Sequence, residues 1–133
     1  MSEKTIADKL AIKPNTTVWL SDGSYIERIA PLPSGATTVE RIEGADTAFV
    51  FVEDAASLRE TLKANEAQLL KPASLWVAYR KGNRADINRD TLWPMLTPYG
   101  LRPIGQVAID DVWSALRFRA LKPGEAPFTG GRG

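Results

Sequence analysis

Apolar residues along this chain fall into short, dense runs, separated by polar stretches with helical spacing or turn residues. Thr16 to Leu20 is β-branched, aromatic or aliphatic throughout with little alternation, which predicts a strand covered on both faces. The turn Lys13-Pro14-Asn15 precedes it, and the residues up to Leu10 read as a short helix or loose arm. Tyr25, Ile26 and Ile29 stand at helical spacing and predict a short helix over Ser24–Ala30, ended by Pro31 to Gly35. Ala36 to Ile42 reads as a weaker strand. After Gly44-Ala45-Asp46 comes the strongest apolar run, Ala48-Phe49-Val50-Phe51-Val52, which belongs in the middle of a sheet.

Asp54 is placed to cap a helix from Ala55 to Leu70, with Leu58, Leu62 and Leu69 inward and Arg59, Glu60, Lys63 and Glu66 outward. Lys71-Pro72 stops that helix, Leu75 to Tyr79 predicts a further buried strand, and Arg80 to Asp86 reads as a polar loop. A helix is expected within Asn88–Tyr99, kinked or shortened by Pro94 and Pro98 and ended by Gly100. Arg102–Ile109 and Trp113–Arg119 read as strands joined through Asp110-Asp111. So short a link makes them antiparallel, because a parallel crossover needs about a dozen residues or more.

Helices alternating with strands imply mostly parallel pairing with helices on both faces. The fold expected is therefore α/β, three-layer and Rossmann-like, with a mostly parallel sheet ending in an antiparallel hairpin. At 133 residues the chain suits one domain, expected over residues 1–121, and the Gly- and Pro-rich stretch 122–133 is expected to be a mobile tail.

A doubly wound sheet closed by a helix and an antiparallel hairpin resembles the S-adenosylmethionine-dependent methyltransferase fold, over about Lys13 to Arg119. Leu69-Leu70-Lys71-Pro72-Ala73-Ser74-Leu75-Trp76-Val77 resembles the Leu-Lys-Pro-Gly-Gly connection of that fold, with Ala73 and Ser74 in place of the glycines. The phrase from Asp86 through Asp90, and above all Val107 to Arg119, is similar to a small family of bacterial proteins of unknown function. That resemblance implies a bacterial cytoplasmic protein and brings no activity with it.

Composition narrows the chemistry. With no cysteine and no histidine, disulfides, thiolate sites and the commonest metal ligand and general base are absent, so no metal site is expected. The net charge of +1 offers no field for nucleic acid or an anionic membrane, and no segment reaches the ~20 apolar residues of a membrane span. The protein is expected to be cytoplasmic, a monomer or homo-dimer, with no nucleic acid and no membrane expected as partners.

Ligands of open α/β sheets gather outside the carboxyl ends of the strands, where the strand order reverses. The residues following each strand would build that rim: Ser21, Asp22, Gly23 and Ser24, then Glu43, then Glu53 and Asp54, then Arg80 and Lys81, then Asp110 and Asp111. Each also fits an ordinary role in a turn or cap. Gly23 stands alone where a working cofactor loop would have several glycines, so the cofactor is left open. Glu43 is spaced to meet ribose hydroxyls, and equally to serve the turn at Gly44. Glu53-Asp54 and Asp110-Asp111 are candidate acid–base carboxylates, while Asp86, Asn88 and Asp90 fit loop and cap chemistry. Arg80, Lys81, Arg84 and Arg89, near Tyr79 and Trp93, form the basic stretch suited to a phosphate or carboxylate. Trp113 and Arg117 share a strand face, opposite Leu116 and Phe118, and are candidates for a mutual cation–π pair or a subunit contact.

These features predict a non-catalytic or vestigial methyltransferase-like domain that binds a small anionic ligand or a protein partner. Two rivals stand beside it. One is a small enzyme, S-adenosylmethionine- or nucleotide-dependent or cofactor-free, with Asp22, Glu53 or Asp111 as base and Arg80 and Lys81 holding the substrate. The other is an oligomerisation module pairing through its edge strand or the Trp113 face.

Overall fold

The computed structural model describes residues 6–72, 74–81 and 89–126, the side chains of Arg89 and Asp90 excepted. Its helices are α1 (Ile6–Lys9), α2 (Ile26–Ile29), α3 (Ala55–Ala64) and α4 (Arg89–Leu96). Its strands are β1 (Thr17–Leu20), β2 (Thr37–Val39), β3 (Thr47–Phe51), β4 (Ser74–Arg80), β5 (Leu101–Ala108) and β6 (Trp113–Ala120). The sheet has six strands in the order β2-β1-β3-β4-β6-β5. β2, β1, β3 and β4 run parallel, and β6 is antiparallel to both β4 and β5. This is the expected α/β fold, with methyltransferase-like Rossmann topology.

Strand alternation sends side chains into two cores, one on each face of the sheet. Ala48, Val50, Leu75, Val77, Leu116 and Phe118 pack with Leu58 and Leu62 of α3 and Leu92 and Leu96 of α4. Phe49, Phe51, Trp76, Ala78, Trp113 and Ala115 pack with Ala7 of α1 and Ile29 of α2. Every residue of β3 is buried, as its unbroken apolar run requires. Each fully buried leucine contributes about 1.5–3 kcal/mol relative to exposure.

Helix and strand ends depart from the sequence pattern for local reasons. Asp54 caps α3 reciprocally: Ser57 N–H donates to Asp54 Oδ1 at 2.8 Å, and Asp54 N–H donates to Ser57 Oγ at 3.3 Å. The helix stops at Ala64, short of Leu70, and the chain tightens into a 3-10 turn over Glu66–Gln68. Asn65 turns its side-chain amide back to Thr61 O at 2.9 Å, supplying a donor at the helix end. The strand expected over Ala36–Ile42 shrinks to β2, whose three residues Thr37–Val39 are those paired with Thr17–Trp19 of β1. The α4 turn gives way to a 3-10 turn at Thr97–Tyr99 containing Pro98, and Gly100 closes it at φ +82°.

The stretch expected to form a mobile tail begins with a tied segment. Glu125 accepts from Arg119 twice at 2.8 Å, from Arg102 at 2.9 Å and from Lys122 N–H at 2.9 Å. Those donors hold its carboxyl far below the usual range, Arg119 first among them. Residues 127–133 of that stretch, and Arg84, Asp86 and Asn88 of the basic loop, lie outside the described residues. Among the described residues no helix is long and apolar enough to cross a membrane.

Candidate functional site

In this strand order the chain moves from β1 outward to β2 and then back across β1 to β3, so the topological switch point lies between β1 and β3. The loops leaving these two strands should open there into a crevice. They are instead fastened together. Ser21 N–H donates to Phe49 O at 2.8 Å, and Phe51 N–H donates to Ser21 Oγ at 2.9 Å. Past Ser21 the chain coils into a 3-10 turn, Gly23–Tyr25, which delivers Tyr25 over the end of β3. The Tyr25 ring stacks on Phe51 at 4.6 Å with 2° between planes, and its hydroxyl donates to Glu53 Oε2 at 2.6 Å.

Arg80, the last residue of β4, completes the closure. Its Nε donates to Glu53 Oε1 at 2.7 Å and a terminal nitrogen donates to Oε2 at 3.3 Å. The guanidinium lies 4.9 Å from the Trp113 ring centroid. Trp113 is 1% exposed and edge-on to both Phe51 and Tyr25. The Arg80 bond, then that from Tyr25, lowers the Glu53 carboxyl from its ordinary value, and Glu53 raises the Tyr25 phenol. Tyr25, Glu53, Arg80 and Trp113 thus form a plug over the ends of β3 and β4, where the sheet invites a ligand.

The other rim candidates are largely turned on their own neighbours. Asp22 accepts from Ser24 N–H at 3.0 Å and Ser24 Oγ–H at 2.7 Å, and these bonds lower its carboxyl. Asp110 accepts from Val112 N–H at 2.8 Å and Trp113 N–H at 2.7 Å, with Arg28 at 3.4 Å. Asp111 is exposed beside it. Lys81 joins the hairpin through its backbone, donating to Val112 O at 2.8 Å. Glu53 is held by Arg80 and Tyr25, and Asp110 by the hairpin amides and Arg28, so these two candidate carboxylates are engaged separately. No group of three His, Cys, Asp or Glu residues able to hold a metal occurs among the described residues.

The expected Trp113–Arg117 pair is corrected by register. Residues four apart on one strand stand about 13 Å apart, at roughly 3.3 Å per residue. Directly opposed residues on neighbouring strands are far closer, and β4 and β6 pair Arg80 with Trp113 and Trp76 with Arg117. Each arginine therefore takes the tryptophan across from it, Arg117 lying 5.8 Å from the Trp76 ring and donating to Ser74 Oγ at 2.7 Å. With Trp113 buried within one chain, it offers no surface for a subunit contact.

An opening lies at this end of the sheet, on the β2 side of the switch point. Leu20, Gly23, Ile26, Thr38, Val39 and Glu40 line a cleft of about 480 Å³ between β1, α2 and β2. The sequence reading missed it, because a strand drawn to Ile42 makes Glu43 its closing residue. With β2 ending at Val39, Glu40 holds that place, and Glu43 pairs with Arg41 at 3.3 Å on the surface. Tyr25 was also missed as a rim residue, its spacing with Ile26 and Ile29 being that of a helix face.

A scan against family models finds no match, and no curated protein is detectably similar in sequence. Solved structures are similar in fold. A protein of the NADB-Rossmann superfamily from Streptococcus agalactiae superposes with a TM-score of 0.58 at 12% identity, over 97% of this chain and 72% of that one. An uncharacterised protein from Listeria monocytogenes gives the same figures: 0.58, 12%, 97% and 72%. The B. subtilis tRNA methyltransferase TrmK gives 0.53 at 12% identity, over 86% of this chain and 63% of that one. The fold is that of the methyltransferase-like Rossmann proteins.

That fold implies S-adenosylmethionine, and the residues at the switch point do not fit it. The turn after β1 carries a single glycine, Gly23, where a cofactor loop would hold several. The loop amide of Ser24 is taken by Asp22, and Tyr25 fills the space above Phe51.

Proposed function

We propose that this chain is a non-catalytic, methyltransferase-like binding domain whose ligand is a small molecule seated between β1, α2 and β2. One observation carries the reading: the switch-point crevice is bridged by the Tyr25–Glu53–Arg80 chain of hydrogen bonds. A carboxylate base is strongest when its pKa lies near the working pH, whereas Ser24 lowers Asp22, and Arg80 and Tyr25 lower Glu53. Arg80 is engaged by Glu53, so an anion bound by Arg80 would have to displace a bidentate partner. Pairing through the edge strand β5 is disfavoured by Pro103 and by the register shift between Pro103 and Gly105.

The test is titration calorimetry with S-adenosylmethionine, S-adenosylhomocysteine, nicotinamide dinucleotides and nucleotides, with a methyl-transfer assay alongside. Absence of S-adenosylmethionine binding at millimolar concentration is the expected result. Saturable micromolar binding accompanied by methyl transfer overturns the reading.

A further inference from the structure

We propose that the face of the β5–β6 hairpin carrying Arg102, Arg117 and Arg119 binds a phosphate group, and that Glu125 occupies it as an internal stand-in. The site lies at the edge of the sheet opposite β2. Register sets Arg102 directly across from Arg119, where two like charges repel unless an anion sits between them. Glu125 is that anion: Arg119 grips its carboxylate with both terminal nitrogens at 2.8 Å, and Arg102 donates to it at 2.9 Å. Arg117 stands two residues from Arg119 along β6, on the same face by alternation. It donates to Ser74 Oγ at 2.7 Å, its Nε has no hydrogen-bond partner, and no carboxylate among the described residues pairs with it. Opposite Arg117 on β5 is Gly105, with open space where a Cβ would stand.

Glu125 differs from Glu53 in what holds it. Glu53 stands between β3 and α3, fixed at both ends by the fold. Glu125 ends the turn Lys122-Pro123-Gly124-Glu125, which is closed by Glu125 N–H donating to Lys122 O at 2.9 Å, with Gly124 at φ +80°. Lys122, Pro123, Gly124 and Ala126 are exposed, so this turn is tied to the sheet through the Glu125 side chain. A segment with so few buried contacts opens at little cost. A free carboxylate would only repeat what Glu125 already supplies from the same chain at high effective concentration. A phosphate monoester brings about two negative charges and three strong acceptor oxygens, enough to take Arg102 and Arg119 together with Arg117, which Glu125 does not engage.

The experiment is an amide NMR titration of the whole chain with inorganic phosphate and with acetate at constant ionic strength, in mildly alkaline solution where phosphate is a dianion. Phosphate should give saturable shifts at Arg119, Lys122 and Gly124, the last two moving as the turn leaves the sheet. Glu125→Gln keeps the size of the side chain and removes its charge. It should tighten phosphate about tenfold, with acetate binding that variant about tenfold more weakly than phosphate. Arg117→Gln added to Glu125→Gln should weaken phosphate several-fold. The inference is overturned if phosphate gives Glu125→Gln no saturable shifts, if it binds that variant no more tightly than the natural chain, or if acetate matches it there, and Glu125 is then a structural tie alone. Should Glu125→Gln lose its native spectrum, the natural chain decides: absence of saturable phosphate shifts at Lys122 and Gly124 overturns the inference.

Discussion

Two neighbouring regions at the carboxyl end of the sheet are built in opposite ways. Over β3 and β4 the polar groups face one another: Glu53 holds Tyr25 and Arg80, and the aromatic rings of Tyr25, Phe51 and Trp113 pack beneath. Over β1 and β2 the Glu40 carboxylate and the Thr38 hydroxyl border an open cleft with aliphatic walls. The first region ties three loops together, and the second is the ligand site proposed above. Polar groups that have found partners resist displacement, because an incoming ligand must replace bonds already made.

The comparison breaks most decisively at Trp113. Replacing this buried ring with Ala should cost about 3–5 kcal/mol in urea unfolding, through the cavity left under Tyr25 and Arg80. A cost below about 1 kcal/mol would mean that the plug is not packed as described. Tyr25→Phe keeps the stack on Phe51 and removes the hydroxyl at Glu53, with an expected loss of about 0.5–1.5 kcal/mol.

The same pair predicts a pH dependence at both ends of the scale. Glu53 has a folded pKa below its ordinary 4.5, so its contribution is present above that value and fades as pH falls through the folded pKa. Tyr25 is raised above 10, so its contribution is present below that value and fades as pH rises through the folded pKa. The stability gap between the natural chain and a Tyr25→Phe, Glu53→Gln double variant should therefore be flat between those limits and narrow outside them. A gap that widened in acid would refute the assignment. The smallest effect is expected in the open cleft, where Glu40→Gln should shift stability by less than about 0.5 kcal/mol.

Apolar runs and turn residues were enough to place every strand and to order the sheet as a parallel block closed by a hairpin. β3 was legible because a buried central strand needs apolar residues on both faces, and Asp54 because a helix start needs an acceptor for its free amides. Element ends were less legible. β2 keeps only Thr37–Val39, the residues paired with Thr17–Trp19 of β1, and α3 stops at Ala64, although the apolar spacing runs on to Leu69. Rim membership could be read for Ser21, Asp22, Glu53 and Arg80, since polar residues after strands gather there in this topology.

How those rim residues meet was decided by packing alone. The Ser21-Asp22-Gly23-Ser24 stretch is visible in the chain as a cofactor loop without its glycines, but nothing local says that Tyr25 lies on Phe51, 26 positions away. Nor does it say that Arg80 pairs with Glu53 and lies against Trp113. Periodicity and turn chemistry are properties of neighbours in sequence, so they carry the elements and their order. Cross-strand register and ring stacking join residues brought near only by the finished sheet, and they determine which end of the cleft is closed and which is open.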